Sequence, residues 1–262
     1  MSDQARTTAL ITGASAGIGA TYADRLARRG HDLVLVARDQ AKLNALAQRL
    51  RGETGAAVEV LPADLTDANN LATVEARLRE DSRIGLLVNN AGSALAGGFG
   101  APDLDRLEWL IRLNVTAPTR LAGAIVPRLL EQGGGAVINI ASVLGLAPEI
   151  MPGIYGATKS YMLTFSQSLQ AELDARGVYV QAVLPGATRT NIWSHAGRNV
   201  ADIPGMMEVG DMVDAALAGF DRRELVTIPP LHDEGDWLRF TAARHAMLPG
   251  FRQSEPAPRY RA

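Results

Sequence analysis

The sequence predicts an α/β fold: a doubly wound parallel sheet with helices on both faces, in a single domain spanning 1–262. Three observations predict it. Short apolar runs of strand length alternate with helix-periodic stretches, the pattern of βαβ units. Residues 32–37 are apolar without a break after Asp32, as in a strand covered on both sides. The small-residue motifs fall just beyond the carboxyl ends of such runs, where open α/β sheets bind their ligands.

Taken in order, residues 8–12 form an apolar run that meets Gly13 and reads as a buried strand. Ile18, Tyr22 and Leu26 recur at helical spacing over 18–29, and Gly30 supplies a left-handed stop. After the strand at 32–37 comes a helix over 40–51 with Leu43, Leu46 and Leu50 in register. A third strand at 57–61 leads to a helix over 69–80 carrying Leu71, Val74 and Leu78. A fourth strand at 84–88 runs into Asn89-Asn90-Ala91-Gly92. A glycine-rich loop at 97–102 precedes a long helix over 104–130. It should bend near Pro118 and kink or break at Pro127, because proline removes a backbone donor. A fifth strand covers 136–140, and a second long helix, 155–176, ends at Gly177. A sixth strand at 178–184 stops at Pro185-Gly186, and 187–210 is irregular. A helix at 211–220, a seventh strand at 225–228 and a terminal helix at 233–247 complete the order. Residues 250–262 read as a flexible or partner-bound tail.

Composition removes several function classes. The formal net charge of -2 leaves no basic excess for nucleic acid or an anionic membrane surface. With no cysteine there are no disulfides, thiolate metal sites or thiol nucleophiles. His31, His195, His232 and His245 are scattered without metal-ligand spacing, so no metal site is expected. No stretch is long and apolar enough to span a bilayer, and residues 1–6 lack the basic region and apolar core of a signal peptide. A cytoplasmic protein is expected.

The motifs carry the chemistry. Thr12-Gly13-Ala14-Ser15-Ala16-Gly17-Ile18-Gly19 joins the first strand to the first helix. Its glycines permit a tight turn and a close approach of backbone N–H groups to a phosphate, with the positive helix end behind them. Gly13, Ser15, Ala16, Gly17, Ile18 and Gly19 are thus candidate cofactor contacts. The second strand ends at Ala37-Arg38. A carboxylate there would take the adenosine ribose hydroxyls, whereas an arginine pairs a 2′-phosphate. NADP(H) is therefore favoured over NAD(H), with Asp39 as a competing ribose contact. Asp64 and Leu65 are placed to hold the adenine, and Asp64 also suits a helix cap. Tyr155 and Lys159, four apart on a helix, put phenol and ammonium side by side. A fixed cation draws the phenol pKa down from about 10 toward the working range, which makes a general acid/base.

Together these pieces resemble the short-chain dehydrogenase/reductase family. The matching signs are the glycine loop at 12–19, Asp64, Asn89-Asn90-Ala91-Gly92, Asn114, Ser142, Tyr155 with Lys159, and Pro185-Gly186, in the family's order over 8–190. The resemblance implies a Rossmann-like domain with a seven-stranded parallel sheet, and hydride transfer between a nicotinamide and a carbonyl or alcohol carbon. It implies that Tyr155 gives a proton to the carbonyl oxygen in reduction and takes it back in oxidation. Lys159 would lower the Tyr155 pKa and bind the nicotinamide ribose, and Ser142 would hydrogen-bond the substrate oxygen. Asn114 would hold a water linking Lys159 to solvent. Asn90, Ala91 and Gly92 would line the ribose cleft, and Pro185, Gly186 and Thr188 would face the carboxamide.

The segment 187–210 is expected to form a lid. Its Ile192, Trp193, His195, Met206 and Met207, with Leu144 and Met151, suggest an apolar pocket. The expected substrate, held at Ser142 and Tyr155, is a hydrophobic ketone, aldehyde or secondary alcohol. Within the family the sequence looks closest to broad-range carbonyl reductases. A 3-oxoacyl-carrier-protein reductase is the rival; no clear basic cluster for a carrier protein is visible, and Arg128 and Arg189 leave that alternative open. A non-catalytic NADP(H)-sensing protein is a second alternative. The long helices at 104–130 and 155–176 resemble those by which family members associate, so a homodimer or homotetramer is expected.

Overall fold

A computed structural model of the chain describes residues 7–95, 102–195 and 203–261. By its contacts the chain divides into two compact units, Met1–Pro229 and Pro230–Ala262. The first is built on seven strands, β1 (Thr8–Thr12), β2 (Asp32–Ala37), β3 (Val58–Pro62), β4 (Ile84–Asn89), β5 (Gly135–Ile140), β6 (Val178–Val183) and β7 (Val226–Thr227). They lie side by side as β3-β2-β1-β4-β5-β6-β7, every neighbour parallel. The chain winds outward from β1 to β3, returns across β1, and winds the other way to β7. Strand order reverses between β1 and β4, which opens a crevice at their carboxyl ends.

Each strand alternates its side chains between two cores. Ala9 and Ile11 of β1 face one core, and Leu10 faces the other. The first core is closed by α1 (Gly17–Arg28), α2 (Gln40–Thr54) and α8 (Val209–Asp221), through Tyr22, Leu26, Leu43, Leu50, Met212 and Leu217. The second is closed by α3 (Ala68–Glu80), α5 (Ala117–Glu131) and α6 (Ile154–Leu173), through Leu71, Val74, Leu121, Ile125, Leu129 and Leu173.

The predicted helix over 104–130 is three pieces. α4 (Leu104–Ile111) passes into a π-turn, Arg112–Thr116, in which the Ala117 N–H bonds the Arg112 carbonyl, and then into α5. The distortion precedes Pro118 rather than arising at it. Pro127 lies inside α5 without ending it. Leu121, Ile125 and Leu129 on either side are fully buried, so packing holds the helix through the one donor that proline removes.

The predicted irregular segment 187–210 contains a short helix, α7 (Ile192–His195), and one parallel bridge between Thr188 and Met207. The Met207 N–H bonds the Ala187 carbonyl at 2.8 Å, and the Arg189 N–H bonds the Met207 carbonyl at 3.0 Å. Residues 196–202 of the expected lid, the His195 side chain and 97–101 of the expected glycine-rich loop lie outside the described residues. In the second unit, α9 (Glu234–Ala246) starts at Asp233, whose carboxylate accepts the Gly235 N–H at 2.8 Å. The tail expected to be flexible contains 3-10 turns at Leu248–Arg252 and Pro258–Tyr260. Among the described residues no helix is long and apolar enough to cross a membrane. No group of His, Asp and Glu among them is arranged to hold a metal ion.

Candidate active site

A cleft of about 770 Å³ runs along the carboxyl ends of the strands. Gly13, Ser15, Ala16, Gly17 and Ile18 line it, and Gly19 lies just behind. Gly13 has φ +66, and a Cβ there would stand 2.8 Å from Asn90 Nδ2. A Cβ on Gly19 would stand 2.4 Å from both the Gly13 carbonyl oxygen and Asn90 Nδ2. Asn90 braces this turn: its Nδ2 donates to the Thr12 carbonyl at 2.8 Å. The Thr12 hydroxyl in turn accepts the N–H groups of Asn90 and Ala91, each at 3.0 Å. No side chain caps the start of α1 at Ala16, so its first-turn N–H groups face the cleft unclaimed by a cap. This is a cradle shaped for a phosphate, and it fits a dinucleotide.

At the adenosine end, Arg38, Asp39, Lys42, Asp64 and Leu65 line the cleft together with Asn90, Ala91 and Gly92. Asp39 is engaged locally: its carboxylate caps α2 through the Lys42 N–H at 3.0 Å and pairs with Lys42 Nζ at 3.0 Å. Those bonds hold its carboxyl below the usual range. Asp64 accepts the N–H and hydroxyl of Thr66, at 2.9 and 2.7 Å, and lies 3.9 Å from Arg38. The cap of α3 itself is Asp67. Lys42, a second cation here, was not singled out by sequence; its signal is its place four residues after Arg38, in the first turn of α2.

At the other end, Ser142 follows β5, and Tyr155 and Lys159 stand one turn apart on α6. Lys159 is buried; its Nζ donates to the Ile140 carbonyl at 2.8 Å and lies 5.7 Å from the centre of the Tyr155 ring. Burial pushes the Tyr155 hydroxyl up to about 12, and the Ser142 hydroxyl beside it pulls the other way. Burial brings the Lys159 ammonium down to about 8. At Tyr155 burial is the larger influence, because withdrawing a phenolate from water is costly. Gly145 lets the turn after Ser142 lie against α6: a Cβ there would stand 2.8 Å from the Lys159 carbonyl oxygen. Asn114 sits in the π-turn beneath the cleft, 2% exposed, and does not line it.

Leu144, Met151, Ile192 and Trp193 line the cleft near Tyr155, with Pro185, Gly186 and Thr188 beside them. The Trp193 indole N–H donates to the Thr188 carbonyl at 2.8 Å, which fixes the ring. Met206 and Met207 do not line the cleft, and Met207 packs against the first core instead. Trp109, Ile150, Ile203 and Pro204 do line it; they come from distant stretches and carry no local motif. Arg128 is buried, donating to the carbonyls of Leu78 and Ile84 at 2.9 and 2.6 Å. Arg189 is paired with Glu208 at 2.7 Å.

A glycine turn shaped for a phosphate and a Ser-Tyr-Lys group on one doubly wound sheet mark a nicotinamide-dependent oxidoreductase of Rossmann type. Residues 7–201 match the family described as short chain dehydrogenase, and the chain belongs to that family. In structure it is similar to a short-chain dehydrogenase from Sphingobium yanoikuyae solved in complex with NADPH, with TM-score 0.96 and 60% identity over 97% of this chain and 100% of that one. It is similar to the bulky-bulky ketone specific alcohol dehydrogenase from Comamonas testosteroni, with TM-score 0.92 and 50% identity over 99% of this chain and 100% of that one. In sequence it is 31% identical over 200 residues to very-long-chain 3-oxoacyl-CoA reductase-B from Danio rerio, a match that covers 75% of this chain and 64% of that reductase.

Proposed function

We propose that the protein is an NADP(H)-dependent carbonyl reductase that interconverts an apolar ketone and its secondary alcohol. The observation that carries this reading is the Tyr155 hydroxyl beside Ser142, with Lys159 one turn away, in an apolar-walled cleft. The cofactor and substrate class draw support from the Sphingobium dehydrogenase with its NADPH and from the Comamonas enzyme with its bulky-bulky ketones. On that analogy the substrate carries a large group on each side of the carbonyl.

When bound, the nicotinamide supplies or accepts the hydride. In reduction, negative charge develops on the carbonyl oxygen. Ser142 and Tyr155 are placed to stabilise it, and Tyr155 gives the proton. A phenol held near 12 is fully protonated at neutral pH, so it enters as the acid. Lys159, near 8, remains charged there and stabilises the tyrosinate left behind. Oxidation needs the deprotonated phenol, so its rate rises with pH. Tyr155→Phe should retain cofactor binding, read by nicotinamide fluorescence, and lower ketone reduction at least 100-fold. Reduction at the parent's rate would remove Tyr155 from the mechanism. A parent that turns over no ketone or alcohol would favour the sensing role.

The 3-oxoacyl reductase reading has support in the Danio rerio likeness. The two arginines that left a carrier-protein contact open are engaged elsewhere, Arg128 with backbone carbonyls and Arg189 with Glu208. Assays with a 3-oxoacyl thioester against a diaryl ketone separate the two. We also read the protein as a cytoplasmic homodimer or homotetramer. Exposed Leu104 and Ile111, and the stacked Tyr161–Phe165 pair 5.7 Å apart, lie on the long helices and support that association.

A further inference from the structure

Asn114 has no free donor. Its Oδ1 accepts the Ser93 N–H at 3.0 Å, and its Nδ2 donates to the Ser93 carbonyl at 3.0 Å and to the Thr158 hydroxyl at 3.0 Å. The backbone of one residue thus reads both ends of the amide and fixes which way round it stands. The third bond fixes what it faces. Thr158 is 3% exposed, and its single hydroxyl proton goes to the Tyr155 carbonyl at 2.7 Å. The bonds form a directed chain, from the π-turn through Thr158 to the first turn of α6. Gly92 shows where the chain leads. A Cβ on it would meet Asn114 Oδ1 at 3.3 Å and Lys159 Nζ at 3.6 Å, so both atoms border the same small space.

We infer that Thr158 is a positioning residue for the acid/base group: its hydroxyl ties the Asn114 amide to the α6 turn that carries Tyr155 and Lys159. The inference rests on the proposed reductase reading. Thr158 does not line the cleft and touches no reacting atom. It acts by linking the Asn114 amide, which Ser93 orients with Oδ1 toward the Lys159 side, to the backbone of α6. Without the hydroxyl, a buried N–H of Asn114 and the Tyr155 carbonyl each lose a partner, and the amide keeps its two Ser93 bonds but loses its tie to α6.

Thr158→Val removes the hydroxyl at nearly constant shape, and Thr158→Ser keeps the hydroxyl and drops the methyl. The measurements are kcat, KM and the pH profile of ketone reduction, with NADPH affinity and melting temperature alongside. The expected result for T158V is a tenfold or larger fall in kcat, a displaced alkaline limb, and KM and NADPH affinity within twofold of the parent. T158S should return kcat to within threefold. The inference is overturned if T158V matches the parent in rate and profile. It is overturned as well if T158S is as slow as T158V, which would make the methyl the operative group. Lost NADPH binding or failure of T158V to fold would assign Thr158 to packing alone. Failure of the reductase reading is distinguishable, since it appears in Tyr155→Phe whatever Thr158 variants do.

Discussion

Arg38 and Lys42 bring two cations to the adenosine end of the cleft, while Asp39 between them is occupied as a helix cap. A charge-assisted bond to a 2′-phosphate is worth on the order of 1.5–3 kcal/mol, or tenfold and more in affinity. Arg38→Asp should therefore shift the NADPH-to-NADH ratio of kcat/KM at least tenfold toward NADH; an unchanged ratio would take Arg38 out of the site. Arg38 was readable in the sequence because the end of the second strand is a defined place. Lys42 was not, since its role depends on Asp39 choosing the α2 amide over a ribose, a choice made by backbone geometry. Nor could the sequence show how far burial raises the Tyr155 hydroxyl, because that is set by solvent exclusion.

The joint between α1 and α2 is electrostatic. Asp24, 8% exposed, meets Arg25 and Arg28 of its own helix at 2.9 and 3.1 Å and Arg49 of α2 at 2.9 Å. Burial raises its carboxyl pKa, but hydrogen bonds from Arg28, Arg49 and Arg25 outweigh this and hold it at about 2, below its ordinary 3.8. A depressed carboxylate stabilises the fold above its unfolded pKa, and that stability is lost as pH falls from about 4 to about 2. Asp24→Asn should cost about 2 kcal/mol at pH 7 in urea denaturation, and much less near pH 2. A constant deficit across that range would show that Asp24 acts by shape, not charge. At this scale most elements were legible to within three residues, since buried strands and capped helices write their periods into the chain. The π-turn was not. It holds because the Asn114 amide is clamped by Ser93, 21 positions earlier, and no local pattern announces such a contact.

For the whole molecule, the winding order β3-β2-β1-β4-β5-β6-β7 places the glycine turn, Asn90-Ala91-Gly92, Ser142, Tyr155, Lys159 and Pro185-Gly186 at one rim, although they are spread from residue 13 to residue 186. The alternation of strands and helices was sufficient to anticipate this. The far walls of the cleft, from Trp109 to Pro204, come from several segments and were beyond reach of any single stretch. At micromolar concentration, static light scattering should return twice or four times the chain mass of 27.8 kDa. A monomer mass would mean that the exposed apolar side chains on α4 and α6 serve another purpose.

The bonds joining 187–189 to 207–208 act like the hinge plate of a tool with exchangeable jaws. On the proposed reductase reading, exchanges in the segment between those two footings would act on the part of the cleft that Ile192 and Trp193 line. Evolution, or a protein engineer, would then retune which carbonyl compounds are accepted without rebuilding the acid/base group on α6.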